Sequence, residues 1–427
     1  MMKKPELIVP AGNLEKMKTA FAFGADAVFL GIPDFSLRVR INDFTVEQIA
    51  EATKYAHDLG KKVYVTLNIF AFNHHLEEMV PYVQKLKEIA VDGLFVSDPG
   101  VMSAIREVWP EAPISLSTQA NCTNWKAAEF WQKQGLKRVI LGREVPLEDI
   151  KEMRKRLPDL ELETFVHGAL CMAYSGRCFL SKLMTGRSAN LGDCAQPCRW
   201  KYDVMIRPQG HEQELEIVEE EHGTYLLNSQ DLCLIQRLPE MIEAGISAFK
   251  IEGRAKSVYY LACVVGSYRK AIDLICEEKL EKGALIQELA SLHHELEEKL
   301  FHRGYTEGFT FEQGKLAQNL ENSHNYPDWE FCGQVLESKQ DGDIFVIKIK
   351  AHNTILVNNE MEAIVPEYGI MKLKLQEFWN EEGESISEAH GGGGGQVITI
   401  RNTSDLPQFT VLRRKIEKNN LENNQQE

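Results

Sequence analysis

Short apolar runs alternate with amphipathic stretches through the first part of the chain. ELIVPAG (Glu6–Gly12), AVFLG (Ala27–Gly31), KKVYVTLNI (Lys61–Ile69), GLFVSD (Gly93–Asp98), PISLSTQ (Pro113–Gln119), RVILGRE (Arg138–Glu144) and LELETFVHG (Leu160–Gly168) predict seven strands. Their apolar positions are nearly continuous, as in strands covered on both faces. An eighth run, AFKIEGR (Ala248–Arg254), comes after a long interruption, and a helix is expected near Ser257–Ile275. Eight strand–helix pairs predict an α/β fold, a parallel (β/α)8 TIM-like barrel, with a doubly wound open sheet as the alternative. The barrel is expected over residues 1–325, with a Cys-rich insertion at about 169–226 after strand seven. Past Phe331 the runs become short, β-branched and punctuated by Gly, Asn and Asp, which predicts a small antiparallel β-barrel (or sandwich) over 330–415 and a polar, disordered tail over 416–427.

Polar residues close the apolar runs. Asn68, Asp98, Gln119, Glu144, His167 and Glu252 stand at or just past the C-terminal ends of successive predicted strands. In a barrel those ends meet on one rim, where active sites form. Glu144, His167 and Glu252 are the candidate proton carriers. Asn68 and Gln119 are candidate substrate contacts on the same rim. Arg143, Lys250 and Arg254 are cations at the ends of strands six and eight, suited to carboxylates.

Bulk properties narrow the class. The 427 residues are 44% hydrophobic, enough for a large core, and carry a formal charge of −15. That charge argues against nucleic-acid binding by the whole surface but leaves room for a local basic patch. No apolar run of signal length opens the chain, and none approaches the ~18 residues of a membrane span. The expectation is a cytoplasmic protein without a membrane partner. Nine cysteines in a large chain of this kind point to thiols, metal ligands or redox groups before disulfides.

Four cysteines crowd one stretch. Cys171, Cys178, Cys194 and Cys198 fall as C-x6-C, a gap of fifteen, then C-x3-C. Zinc ribbons and compact ferredoxin runs are spaced differently. An iron–sulfur cluster, a structural zinc site and merely buried thiols all remain open on spacing alone. From Cys171 to Arg207 six basic residues, Arg177 among them, face two acids. Cations there would offset thiolate charge or attract phosphate and carboxylate groups. Cys122, Cys263, Cys276 and Cys332 read as core thiols. Standard hydrolase machinery is missing: there is no GxSxG elbow, no HExxH helix and no GxxxxGK[ST] loop.

The stretch from Glu163 to Ser181 carries Glu163, Phe165, Gly168, Cys171, Gly176, Cys178 and Ser181 in a spacing that resembles a known signature. PAGN (Pro10–Asn13), GADAV (Gly24–Val28), STQ (Ser117–Gln119), KIEGR (Lys250–Arg254), RGYTEGF (Arg303–Phe309) and GDCAQPCRW (Gly192–Trp200) extend the likeness over nearly the whole chain. By these motifs the chain resembles the collagenase-like peptidases, family thirty-two of those with unassigned mechanism. The branch it is most similar to acts on tRNA. That resemblance implies oxygen-independent hydroxylation of the wobble uridine to 5-hydroxyuridine, with prephenate as co-substrate and the tRNA anticodon arm as partner. It also implies a four-iron, four-sulfur cluster held by Cys171, Cys178, Cys194 and Cys198. In one branch the fourth ligand lies further downstream, which makes Cys233 a rival for Cys198. Zinc is the alternative metal, and a paralogous partner subunit is a further possibility that the family offers. The competing readings are a collagenase-like peptidase, a ribosomal RNA cytidine hydroxylase and a non-enzymatic RNA-binding iron–sulfur module.

Overall fold

Asn13, Thr45, Asp98, Asn124 and Ser257 each cap a helix by accepting a hydrogen bond from a first-turn amide. Each of those helices follows a strand of one closed ring. The computed structural model describes residues 3–32, 35–37, 44–171, 173–202, 205–206, 215–216, 228–311, 318–319 and 324–416. The first strands are β1 (Glu6–Pro10), β2 (Ala27–Gly31), β3 (Lys62–Leu67), β4 (Gly93–Val96), β5 (Ile114–Leu116), β6 (Arg138–Ile140) and β7 (Glu161–Ala169). Three short strands follow: β8 (Met205–Ile206), β9 (Leu215–Glu216) and β10 (Asp231–Cys233). Then come β11 (Ala248–Ile251) and β12 (Tyr305–Thr306). Strands β1 to β7 pair in sequence order, all parallel, and β11 pairs with both β7 and β1. That last pairing closes an eight-stranded parallel barrel, as expected from the apolar runs.

The helices are α1 (Leu14–Ala22), α2 (Val46–Asp58), α3 (Asn73–Ile89), α4 (Pro99–Val108), α5 (Trp125–Lys133), α6 (Leu147–Arg156), α7 (Leu180–Thr185), α8 (Leu238–Glu243), α9 (Val258–Cys276) and α10 (Lys282–Lys299). Helix α9 is buried along almost its whole length. It is sandwiched between the barrel and the C-terminal region, which is why its sequence is apolar all round. Among the described residues no helix is long and apolar enough to cross a membrane.

Two parts of the expected architecture are corrected. The C-terminal region is not a β-barrel. Its strands are β13 (Trp329–Asp341), β14 (Ile344–Ala351), β15 (Ile355–Leu356), β16 (Glu360–Val365), β17 (Gly369–Lys374), β18 (Phe378–Trp379), β19 (Ser385–Ile386), β20 (Glu388–Ala389), β21 (Val397–Asn402) and β22 (Val411–Lys415). Eight of them form one antiparallel sheet in the order β17-β16-β22-β13-β14-β21-β18-β19, while β15 pairs with β20. The end strands β17 and β19 do not meet, so the sheet stays open. Part of it is covered by the first domain instead: Ile364, Tyr368 and Val411 join the barrel's core cluster. Gly266 on α9 admits the Tyr368 ring, which a Cβ there would meet at 2.3 Å. Buried Arg413 on β22 donates to Glu362 at 2.8 Å and also pairs with Glu295 on α10.

Nor do the cysteines sit on a separate insertion after strand seven. The residues past β7 form short turns and α7 laid directly on the barrel's C-terminal rim. The Phe70 amide after β3 donates to the Asn190 carbonyl at 3.1 Å, and Arg177 bonds the Gln119 carbonyl after β5. The stretch is thus part of the crossover from β7 to β11, which continues through β10, antiparallel to the end of β7. Between residues 211 and 223, a stretch rich in Glu, only β9 is described, paired antiparallel with β8. Residues 417–427 of the expected tail lie outside the described residues.

Candidate active site at the barrel mouth

An acid and a base sit inside the ring of apolar strands. Glu163 on β7 and Lys250 on β11 are both buried and joined at 2.7 Å between Oε1 and Nζ. The second Glu163 oxygen lies 3.4 Å from Arg138. Arg138 in turn holds Glu6 at 2.7 Å, toward the opposite end of the barrel. Burial pulls the Lys250 ammonium down to about 8, while Glu163 pulls the other way. Its Nζ stands 3.7 Å from the Phe95 ring centre and 4.2 Å from that of Phe29. Arg254 stacks near Phe29 at 5.4 Å and donates to the Leu37 carbonyl at 2.7 Å. Arg143 lies 3.6 Å above Phe165. Three cations expected from their strand-end positions are therefore gathered around one aromatic floor of Phe29, Phe95 and Phe165. Neither that floor nor the Glu163 partner was among the residues singled out as candidate site residues. The signal available was an acid in the middle of an apolar run.

Polar side chains from β3, β5 and β6 complete the rim. Asn68 donates to Ser117 Oγ at 3.1 Å and to Gln119 Oε1 at 3.3 Å, and accepts from the Leu37 amide at 3.1 Å. Ser117 donates to Gln119 at 2.7 Å. The Glu144 carboxylate accepts the Ser175 amide at 2.7 Å, and Ser175 donates to Asn121 at 2.8 Å. Asn121 and Ser175 both have left-handed backbones, at φ 61° and 48°. Such residues mark sites where surrounding contacts impose the conformation. Arg177 reaches the Gln119 carbonyl at 3.0 Å through Nε and 2.6 Å through Nη2. Asp98 is the cap of α4, accepting from Val101.

The four cysteines border this rim. Cys171 is exposed, Cys178, Cys194 and Cys198 are half-buried, and none is in a disulfide. Burial pushes the Cys198 thiol up; Arg199 and Arg303 oppose this, while charge on Cys171 and Cys194 adds to it. Cys178 is fixed through its amide, which donates to Asn190 at 3.0 Å. Among the described residues no three His, Cys, Asp or Glu side chains are grouped to hold one metal ion. In kind and number the four thiols match the ligands of a sulfur-ligated cluster, but the structure does not group them as one ligand set.

Two candidates lie elsewhere. Strict alternation from Glu163 and Phe165 would aim His167 into the barrel. The pairing of β7 with β11 instead slips by one residue between Lys250 and Ile251, a bulge that turns His167 outward. There it is buried among Tyr260, Tyr268 and Tyr305, with Nδ1 3.3 Å from the Tyr268 hydroxyl. Burial drives its pKa down to about 3. Cys233 lies beside it in the same core, 3.8 Å from the Tyr268 hydroxyl, its thiol pushed up to about 12 by burial. The structure does not bring Cys233 to the other four thiols. Glu252 directly follows β11, its amide donating to the His167 carbonyl at 2.9 Å.

The folded protein keeps His167 neutral while the unfolded chain takes up a proton below about 6.5. The unfolded state then binds more protons, so stability falls as pH drops from 6.5 toward 3. At pH 5 the loss from this group is about 2 kcal/mol. His293, His302, His324 and His352 are also lowered by burial, so in urea unfolding the loss of stability from pH 7 to pH 5 is expected to be smaller in His167→Gln than in the wild type by about 2 kcal/mol.

Gly168 seats the end of β7 against β11. It has φ +103°, and a Cβ there would stand 2.2 Å from the Glu252 carbonyl oxygen. Gly168→Ala is expected to cost at least about 2 kcal/mol in urea unfolding, through strain and overlap together.

Comparison with known proteins follows the same division of the chain. The family model described as Peptidase family U32 matches residues 12–319, and that of the Peptidase family U32 C-terminal domain matches residues 327–413. The chain is 40% identical to tRNA hydroxylation protein P of Escherichia coli strain K12, over 96% of this chain and 97% of that protein. It is 39% identical to tRNA hydroxylation protein P1 of Bacillus subtilis strain 168, over 91% and 90%. It is also 31% identical to a collagenase of Porphyromonas gingivalis, over 75% and 76%. With its barrel and its C-terminal sheet both matched, the chain belongs to peptidase family U32.

Proposed function

We propose that this chain is a tRNA-modifying enzyme that hydroxylates the wobble uridine to 5-hydroxyuridine without molecular oxygen, with prephenate as the source of the hydroxyl. One observation carries the reading: Arg143, Lys250 and Arg254 surround the floor of Phe29, Phe95 and Phe165. A compound bearing two carboxylates suits such a place, its charges on the cations. Hydrolysis of a peptide has no evident use for three cations over an aromatic floor. The names of the two relatives matched along nine-tenths of their length point the same way.

Replacing the C5–H of uridine by C5–OH takes two electrons from the base; prephenate would accept them as its C–OH bond breaks, the carbon that gives up the oxygen ending with a hydrogen in its place and two electrons more reduced. An iron–sulfur cluster, if held by Cys171, Cys178, Cys194 and Cys198, would supply redox or Lewis-acid chemistry at the mouth. Arg143, Lys250 and Arg254 orient the dicarboxylate. Asn68 and Gln119, locked to each other through Ser117, offer amide groups to the edge of a uracil. Glu144 and Glu252 are the rim carboxylates that would serve proton transfer. The wobble base belongs to a loop and leaves its stack at low cost.

The test is deletion of the gene followed by mass spectrometry of tRNA nucleosides. Loss of 5-hydroxyuridine derivatives, restored by the wild-type gene, is expected. Their persistence in a genome with no second family member overturns the reading. In the same strain, Glu144→Gln is expected to restore at most about a hundredth of the wild-type level, the usual scale for a lost acid–base group.

A further inference from the structure

Five of the fifteen large apolar side chains exposed among the described residues fall between Tyr174 and Trp200. Phe179 is 79% exposed, Tyr174 56% and Trp200 42%. Apolar groups are not normally concentrated this way on a surface that meets only water. The same stretch is basic: from Cys171 to Tyr202 five Arg and Lys residues stand against one acid, Asp193, in a chain of net charge −15. That acid is already paired with Arg187 at 2.9 Å. The stretch is also tied to the reaction site. Its Ser175 amide is held by Glu144, and its Arg177 by the Gln119 carbonyl.

We propose that this rim segment is a stacking platform for the unpaired nucleotides of an RNA loop. Phe179, Trp200 and Tyr174 would receive base faces, and Lys182 and Lys201 the backbone phosphates. The inference rests on the tRNA reading above and names the surface that presents the loop to the mouth. Aromatic faces interleaved with cations are the chemistry of single-strand binding: bases stack on rings of any sequence, and phosphates meet the charges. A membrane surface is the poorer occupant. Helix α7 has only six residues, far short of an amphipathic helix that can lie in an interface.

Fluorescence anisotropy of the full-length protein with a labelled, unmodified anticodon stem–loop RNA tests this, with a blunt duplex of the same stem as comparison. The wild type is expected to prefer the stem–loop. The double variant Phe179→Ala/Trp200→Ala is expected to lose at least about 10-fold in stem–loop affinity and little in duplex affinity. Lys182→Glu/Lys201→Glu is expected to flatten the dependence of log affinity on log salt by about 0.7 for each phosphate contact removed. Lys339→Ala, at an exposed position on the C-terminal sheet, is expected to change neither. All these side chains are at the surface, and matching melting temperatures establish that the variants are folded. Stem–loop binding that is tight in the wild type and unchanged in the aromatic double variant overturns the platform while leaving the tRNA reading standing. No binding of the stem–loop by the wild type overturns both. Sedimentation with vesicles of phosphatidylcholine and phosphatidylglycerol, lost in the aromatic variant while RNA affinity is unchanged, also overturns the platform.

Discussion

Serine in place of any one of Cys171, Cys178, Cys194 or Cys198 is expected to lower 5-hydroxyuridine formation at least about 100-fold and to remove iron from the anaerobically purified protein. A thiolate ligand donates charge to a soft metal centre, and a serine hydroxyl at neutral pH does not replace it. The effect is expected to be specific to function. These four side chains are exposed or half-buried, so each change alters little packing, and unfolding of the metal-free variants should track that of the metal-free wild type. Cys233→Ala provides the contrast. Its thiol lies in the core against Tyr268, so iron content is expected to persist while stability falls. Broad visible absorbance bleached by dithionite is the spectroscopic signature. A colourless protein with one equivalent of zinc, lost on the same substitutions, removes the redox part of the proposal.

Lys250→Met is expected to destabilise the fold by about 3 kcal/mol and to abolish turnover. Breaking a buried ion pair from one side leaves the other charge uncompensated, at a typical cost of about 3–5 kcal/mol. The lower figure applies because Glu163 keeps Arg138 at 3.4 Å. The double variant Lys250→Met/Glu163→Gln removes both charges and is expected to regain most of the stability but none of the activity. Urea unfolding of the wild type, the two single variants and the double variant gives the coupling between them. If Lys250 served only to neutralise Glu163, the double variant would also recover turnover. That split between stability and activity is what a substrate-binding role for Lys250 requires.

The barrel was legible because its signal is local. Each strand is a nearly continuous apolar run, and amphipathic stretches lie between the runs. The rim was legible for the same reason: Asn68, Gln119, Glu144, Arg143 and Arg254 stand where such runs end. His167 shows the limit. Its placement depends on a one-residue slip against β11, and nothing in LELETFVHG marks a bulge. The C-terminal strands were readable as strands, but closure of a sheet depends on whether its edges meet. Here Ile364, Tyr368 and Val411 are spent on the barrel's core, a contact across hundreds of residues that periodicity does not record. The Cys171–Cys198 stretch looked like an insertion because its turns lack periodicity. Its bonds to Phe70, Gln119 and Glu144 make it part of the rim. Glu163 and Lys250 were each visible as charges in apolar runs, and only the closed ring brings them to 2.7 Å.

The most direct measurement uses the purified protein alone. Anaerobically prepared protein is incubated with an unmodified tRNA transcript and prephenate, without oxygen, and the RNA is digested and analysed by mass spectrometry. One added oxygen atom on the wobble uridine, dependent on prephenate and absent with Lys250→Met, is expected. Unaltered tRNA, together with cleavage of gelatin peptides by the same preparation, contradicts it and returns the chain to the peptidases whose family name it carries.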